Sequence, residues 1–369
     1  MDRATIDHRG PAFAALFHEL LSRLRRLFRT EHPVLVFPAS GSGGWEAALV
    51  NTLSPGDRVL GFEHGAFAAG WNRVAGRLGL EVERVECDWR EPIPLSALEQ
   101  RLAADAAHRI RAVCVVHNET STGVTNPVSR VRERLDRAGH PALLLVDVVS
   151  SLGSIEYRHD DWGVDVAVCG SQKGLMLPPG LALLAVSEKA LSAHADAGLP
   201  RAFWDWSAML EANRRGFFPW TPPTNLLFGL RESLALLEEE GAAAVAARHR
   251  ALAGAARAAV DAWGLEHHCR VPEARSDTVT AVLLPAGSDA EALRRVALER
   301  FDLSLGAGLG PLAGSVFRIG HLGSLNELML AGALCGVEMS LALCGIPHRP
   351  EGVRAALTWL SGAAGSAAR

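Results

Sequence analysis

Among 37 basic side chains only two are lysine, Lys173 and Lys189; the other 35 are arginine. A guanidinium stays protonated, so a position that needs a neutral, nucleophilic amine admits lysine and not arginine. Lys189, in Val-Ser-Glu-Lys-Ala, reads as the solvated start of a helix. Lys173 lies in Cys169-Gly170-Ser171-Gln172-Lys173-Gly174, a glycine-flanked loop after an apolar run, and reads as chemistry. Two further loops carry unusual groups. Asp147 follows five apolar residues and precedes Val148-Val149-Ser150-Ser151; taken alone, a carboxylate at such a place also suits a helix N-cap. Ala39-Ser40-Gly41-Ser42-Gly43-Gly44-Trp45-Glu46 is a small-residue loop opening a helix. Its backbone N–H groups and helix dipole make an anion seat suited to phosphate. A dinucleotide-binding glycine fingerprint is the rival reading, and it wants glycine where Glu46 stands.

These loops need a scaffold. The chain has 369 residues and 39.3 kDa, is 49% hydrophobic and 21% charged, and has mean hydropathy +0.12. That fills a sizeable core, of two domains or of one large α/β unit with an appendage, and excludes intrinsic disorder. A net charge of −4 without a Lys/Arg-rich block argues against nucleic acid and anionic membranes as partners. The most apolar helical stretch, 328–344, carries Glu338 in its middle, which argues against a membrane span. The polar N-terminus has no apolar signal core, so a cytoplasmic protein is expected. Six well-separated cysteines read as reduced, buried thiols. His267-His268-Cys269 is the nearest approach to a metal cluster, but adjacent residues do not converge on one ion. A surface helix end is the better reading, and no metal is expected.

Short apolar runs at 33–37, 58–61, 81–85, 112–116, 142–146, 164–169 and 181–186 are strand candidates, mostly apolar on both faces as in a buried parallel sheet. Helical patterns separate them, including 13–27, 44–53, 66–78, 95–102 and 128–138. The alternation predicts a large, doubly wound, mainly parallel α/β domain over residues 1–245. Long helices, then strands at 278–284 and 315–319 and two last helices, predict a smaller α+β domain over residues 246–369. In an open parallel sheet, ligands bind beyond the carboxyl ends of the strands. All three loops leave such ends.

A phosphate seat, an aspartate about a hundred residues later and a lysine some 25 residues further on is the order used for pyridoxal phosphate. That cofactor needs an amine for its aldehyde, a carboxylate for its pyridinium nitrogen and a seat for its phosphate. Here the chain resembles the class V aminotransferases of fold type I, and within them the serine–glyoxylate and alanine–glyoxylate branch. The resemblance runs from residues 5–11 to 345–347. It rests most on Pro38-Ala39-Ser40-Gly41, Val116-His117-Asn118-Glu119-Thr120-Ser121-Thr122-Gly123, Gly170-Ser171-Gln172-Lys173-Gly174 and Phe317-Arg318-Ile319-Gly320-His321-Leu322-Gly323.

The resemblance implies these roles. Lys173 carries the cofactor aldehyde and, once displaced, shuttles the substrate's Cα proton. Asp147 pairs with the pyridinium nitrogen. Val149 packs on one face of the ring and Phe67 on the other, where many relatives have Trp. Ser42, Gly43 and Gln172 bind the phosphate, completed by Thr221 of a neighbouring subunit in a homodimer with sites at its interface. Thr122 lies in the loop that reaches the ring's phenolic oxygen, and Arg318 takes the substrate α-carboxylate. From the residues alone, Phe67 and Val149 also suit plain core positions, and Arg318 a surface ion pair. His117, Glu119 and His321 suit holding loops in place.

The activity implied is transfer of the amino group of L-serine (or L-alanine) to glyoxylate by a ping-pong route, giving hydroxypyruvate (or pyruvate) and glycine. The alternatives are aspartate–glyoxylate or ureidoglycine–glyoxylate transamination on the same fold, or an impaired member acting as an interaction protein. A cysteine desulfurase would stack His where Phe67 stands. Relatives carry a Pro-Gly-rich segment ahead of Ile6-Asp7-His8, whereas this sequence starts at Met1; either the start was chosen late or the pocket is more open. The sole tyrosine is Tyr157, while relatives place one beside the position of Thr221. One lost phosphate hydrogen bond costs on the order of 1 kcal/mol.

Overall fold

The computed structural model describes residues 4–367, with side chains described to residue 362; the expectation tied to the start at Met1 falls outside the described residues. The chain forms β1 (Val34–Phe37), β2 (Arg58–Glu63), β3 (Glu81–Glu86) and β4 (Ile110–Val116), then a short hairpin of β5 (Asn118–Glu119) and β6 (Val124–Thr125). β7 (Leu143–Asp147), β8 (Val166–Gly170) and β9 (Ala182–Val186) follow. The large sheet has the order β1-β9-β8-β7-β4-β2-β3, so each of the seven apolar runs supplies one strand. Neighbours from β3 to β8 pair in parallel, and β9 is antiparallel to both β8 and β1. β9 reverses because a loop, and not a helical crossover, joins it to β8.

Every residue of β7, β8 and β9 is buried, because helices cover both faces. Successive side chains alternate between the faces. Leu144 and Val146 meet Phe13, Phe17 and Leu20 of helix Pro11–Phe28, while Leu143 and Leu145 join the core of Trp45, Leu49 and Trp71. β1 is an edge strand, which removes the dinucleotide-fold rival, whose first strand is central.

The second sheet is antiparallel, ordered β10 (Glu266–His267), β11 (Val279–Leu283), β13 (Val316–Gly320) and β12 (Gly306–Ala307). Its core joins Leu252 and Trp263 to Phe317 and Leu334. Residues 245 and 246 fall inside one continuous helix, Ala242–Trp263, whose Val245 packs into the first core and Leu252 into this one. The surface helix end expected at His267-His268-Cys269 is instead strand β10 and its exit, with all three residues buried. β10 pairs with β11, which draws the three inward. Among the described residues no helix is long and apolar enough to cross a membrane.

Candidate active site

β1, β2, β4, β7 and β8 point the same way, so their carboxyl ends share one edge of the sheet. β1 leads into helix Gly41–Val50, β2 into Gly65 and helix Ala66–Arg77, and β4 into the β5–β6 hairpin. β7 ends on Asp147, and β8 leads into Ser171, Gln172 and Lys173.

Asp147 is 4% exposed. One carboxylate oxygen accepts from the Trp45 indole at 2.7 Å and the other from the Val149 N–H at 2.8 Å. Burial pushes its carboxyl up to about 7, aided by Glu119, while the two hydrogen bonds and Lys173 pull the other way. Burial lowers the Lys173 ammonium, with Arg318 acting in the same sense and Asp147 opposing. Lys173 therefore lies within electrostatic reach of both Asp147 and Arg318. The Lys173 carbonyl accepts from Met176 N at 2.9 Å, with Met176 in the left-handed region at φ 56°. A non-glycine residue there costs of order 1–3 kcal/mol, so packing around the loop imposes the turn.

Helix Gly41–Val50 begins three residues earlier than the 44–53 pattern, which brings Ser42 and Gly43 into its first turn. Small residues permit it: a Cβ on Gly41 would meet Val149 Cγ2 at 2.5 Å, and one on Gly43 the Trp204 ring at 2.8 Å. No side chain caps this helix, leaving first-turn N–H groups for an anion. Gln172 borders the same turn, since a Cβ on Gly170 would lie 2.7 Å from Gln172 Oε1 and 3.4 Å from Gly41 N. Gln172 Oε1 is buried without a hydrogen-bond partner, and turning the amide over offers a donor to that space.

The hairpin joins the two sheets. Glu119, fully buried, accepts from Ser121 N and Oγ and from Ala68 N, pinning the start of helix Ala66–Arg77. Asn118 donates to Thr278 Oγ1 at 2.9 Å. From β13, Arg318 donates through Nε to Ala307 O at 2.9 Å and through Nη1 to Thr120 O at 2.6 Å. Among the described residues no carboxylate lies within 4.0 Å of Arg318, and burial lowers its basicity against the pull of Glu119. It still carries its charge. Two carbonyls thus aim a half-buried cation whose Nη2 has no partner among the described residues.

Thr122 is buried and its hydroxyl donates to Glu119 O at 3.3 Å. Phe67 and Val149 are half-buried, Val149 against Gly41 and Phe67 at the edge of the Trp45 core. Thr221 is exposed, beside the exposed Trp220 ring that stacks on Phe203 at 5.8 Å; within this chain nothing ties it to Lys173. His321 is buried between Thr280 and the Asp277 carbonyl, which makes it a strut. Sequence reasoning missed Trp45 and Thr120. The signal for Trp45 was its place one residue after the glycine run; for Thr120 there was none, because its partner lies 198 residues away.

The residues fit pyridoxal phosphate. A buried carboxylate is raised to about 7 despite the pull of Lys173, and among the described residues no cationic side chain pairs with it within 4.0 Å; a pyridinium supplies that partner. An uncapped, glycine-lined helix start lacks an anion, which a phosphate supplies.

Comparison with known proteins agrees. The family model for class V aminotransferases matches residues 3–308. The chain is 50% identical over 361 residues to the serine–glyoxylate aminotransferase of Methylorubrum extorquens, covering 96% of this chain and 90% of that one. It is 47% identical over 348 residues to the L-aspartate–glyoxylate aminotransferase of Paracoccus denitrificans, covering 94% and 88%. The crystal structure of pyridoxamine–pyruvate aminotransferase from Mesorhizobium loti superposes with a TM-score of 0.92 at 31% identity, covering 98% of this chain and 92% of that one. With its fold, its edge-of-sheet site and its sequence in agreement, the chain belongs to the class V aminotransferases, a family that depends on pyridoxal phosphate.

Proposed function

We propose that this transaminase moves the amino group of L-serine, or of L-alanine, to glyoxylate, releasing hydroxypyruvate or pyruvate and then glycine. The observation that carries the reading is that Lys173 lies within reach both of Asp147, which the Gly41 helix holds through Trp45, and of Arg318, which the hairpin anchors through Thr120 O. When bound, pyridoxal phosphate supplies an aldehyde and an electron-accepting ring. Asp147 holds the ring nitrogen, with Trp45 and Val149 N–H fixing the carboxylate. Ser42, Gly43 and Gln172 hold the phosphate, and Phe67 and Val149 confine the ring. Thr122 lies in the same turn as the Thr120 carbonyl that accepts from Arg318. Burial, with Arg318, lowers the Lys173 ammonium toward the free amine that moving a proton at the donor's Cα requires. Arg318 takes the α-carboxylate of amino acid and oxo acid alike.

Serine is favoured as donor by the three curated relatives named serine–glyoxylate aminotransferase, at 47% to 50% identity. A second reading, aspartate as donor, is favoured by the Paracoccus relative and by Arg294, which lies close enough to lower Arg318's basicity. A dicarboxylate donor needs such a second cation. Exposed Thr221 and the apolar Phe203–Trp220 pair beside it support a homodimer in which Thr221 reaches the partner's phosphate. A donor screen with glyoxylate as acceptor tests the reading. Highest kcat/KM with serine or alanine upholds it, and highest with aspartate replaces it by the second.

A further inference from the structure

A cavity of about 480 Å³ opens between helix Pro11–Phe28, residues 152–157 and the junction of helices Thr224–Glu240 and Ala242–Trp263. None of the residues given a role above lines it. Its volume is that of small-molecule pockets. The floor is apolar, with Leu234, Leu237 and Val245 all buried.

The charges around the mouth are uneven. At one end Glu238 faces Arg26 at 2.8 Å and Arg23 at 3.7 Å, and Arg23 also meets Glu19 at 3.0 Å. That end is balanced. At the other end Arg158 holds Glu156 at 2.6 Å, so Arg29, 3.7 Å from Glu156, shares a carboxylate already taken. Arg250 has one carboxylate within 4.0 Å among the described residues, Asp277 at 3.9 Å, which is already bonded to Arg257. The Glu156 carboxyl is held low by Arg158 first, then by Arg29 and Arg250. Three guanidinium groups therefore crowd one carboxylate beside an apolar floor.

We propose that this cavity is a second ligand site, separate from the active site, for a small organic anion. Its carboxylate lies between Arg29 and Arg250, and its apolar or aromatic body on Leu234, Leu237 and Val245.

Salicylate, a carboxylate on an aromatic body, is the probe, titrated by calorimetry into the protein saturated with pyridoxal phosphate. Salicylate is expected to bind saturably, and its neutral isostere salicylamide about tenfold or more weakly, the loss of one charge-assisted contact. The double variant R29Q/R250Q alters side chains 40% and 69% exposed, so the fold is kept. It is expected to weaken salicylate about tenfold or more and leave salicylamide unchanged. Filling the floor with Leu234→Phe is expected to weaken both ligands. Absence of saturable binding at millimolar salicylate overturns the proposal, as does equal affinity for salicylamide. Binding that survives R29Q/R250Q but is lost in Arg318→Gln assigns the anion to the substrate site and also overturns it.

Discussion

The Trp45 indole N–H donates to the Asp147 carboxylate at 2.7 Å. Trp45 stands directly after Gly44 in the helix whose first turn is the proposed phosphate seat. One helix thus holds both ends of the proposed cofactor site, its backbone at the phosphate and its side chain at the carboxylate.

Trp45→Phe keeps the ring and removes the donor. A hydrogen bond to a charged group is worth about 1.5–3 kcal/mol, so cofactor affinity is expected to fall by roughly ten- to a hundredfold. Absorbance titration of stripped protein with pyridoxal phosphate measures it. Unchanged affinity would disconnect Trp45 from the site.

The Asp147 carboxyl sits at about 7 in the folded chain against an ordinary 3.8. A raised folded value means stability fully present below pH 3.8 and lost as pH rises to about 7. The shift corresponds to roughly 4 kcal/mol as an upper figure. Urea midpoints of cofactor-free protein are therefore expected to fall less steeply with rising pH in Asp147→Asn than in the parent across that window.

The buried histidines have the opposite sign. Burial lowers His117 and His159 to about 4 from 6.5. Their contribution is present above pH 6.5 and lost progressively as pH falls to about 4, roughly 3 kcal/mol for each. His117→Gln is expected to flatten the acid limb of the urea midpoint against pH.

Gly41 and Val149 form a size pair, with only 2.5 Å between Val149 Cγ2 and any Cβ placed on Gly41. Gly41→Ala overpacks the contact and is expected to cost about 1–3 kcal/mol. Val149→Ala in the same chain is expected to restore most of that loss. Denaturation of the two single variants and the double variant reads the coupling; strictly additive effects would refute the pairing.

Arg318→Lys keeps the charge and loses the planar fork. The KM for amino donor and oxo acid is expected to rise together by roughly ten- to a hundredfold, matching about 1.5–3 kcal/mol for the contact. Cofactor affinity should stay within about twofold, because Arg318 is anchored to Thr120 and Ala307. Half-reaction kinetics with each substrate separates the two effects.

Much of this molecule was legible in the sequence because its determinants are local. Apolar runs bounded by turns named all seven strands of the large sheet, since six of them are buried along nearly their whole length, with only the edge strand β3 largely exposed. The three loops showed themselves by composition, as did Lys173 in a chain that otherwise uses arginine. What misled was also local. A helical reading began at Gly44 because glycines lower helix propensity, yet Gly41 and Gly44 are where the helix must approach Val149 and Val168. His267-His268-Cys269 looked exposed because its burial depends on pairing with β11.

By itself the sequence determined which groups are available for chemistry: one amine in a glycine-flanked loop, one strand-end carboxylate and one small-residue loop opening a helix. Those are properties of short segments and their backbones. Arg318 was singled out from 35 arginines by the family resemblance. Only the tertiary structure decided how it is held, with β13 packed beside the β5–β6 hairpin and Thr120 O accepting its guanidinium. The tertiary structure also set the protonation balance of Asp147 and Lys173, since burial, the first cause of both shifts, exists only once the sheet and its helices have closed over them.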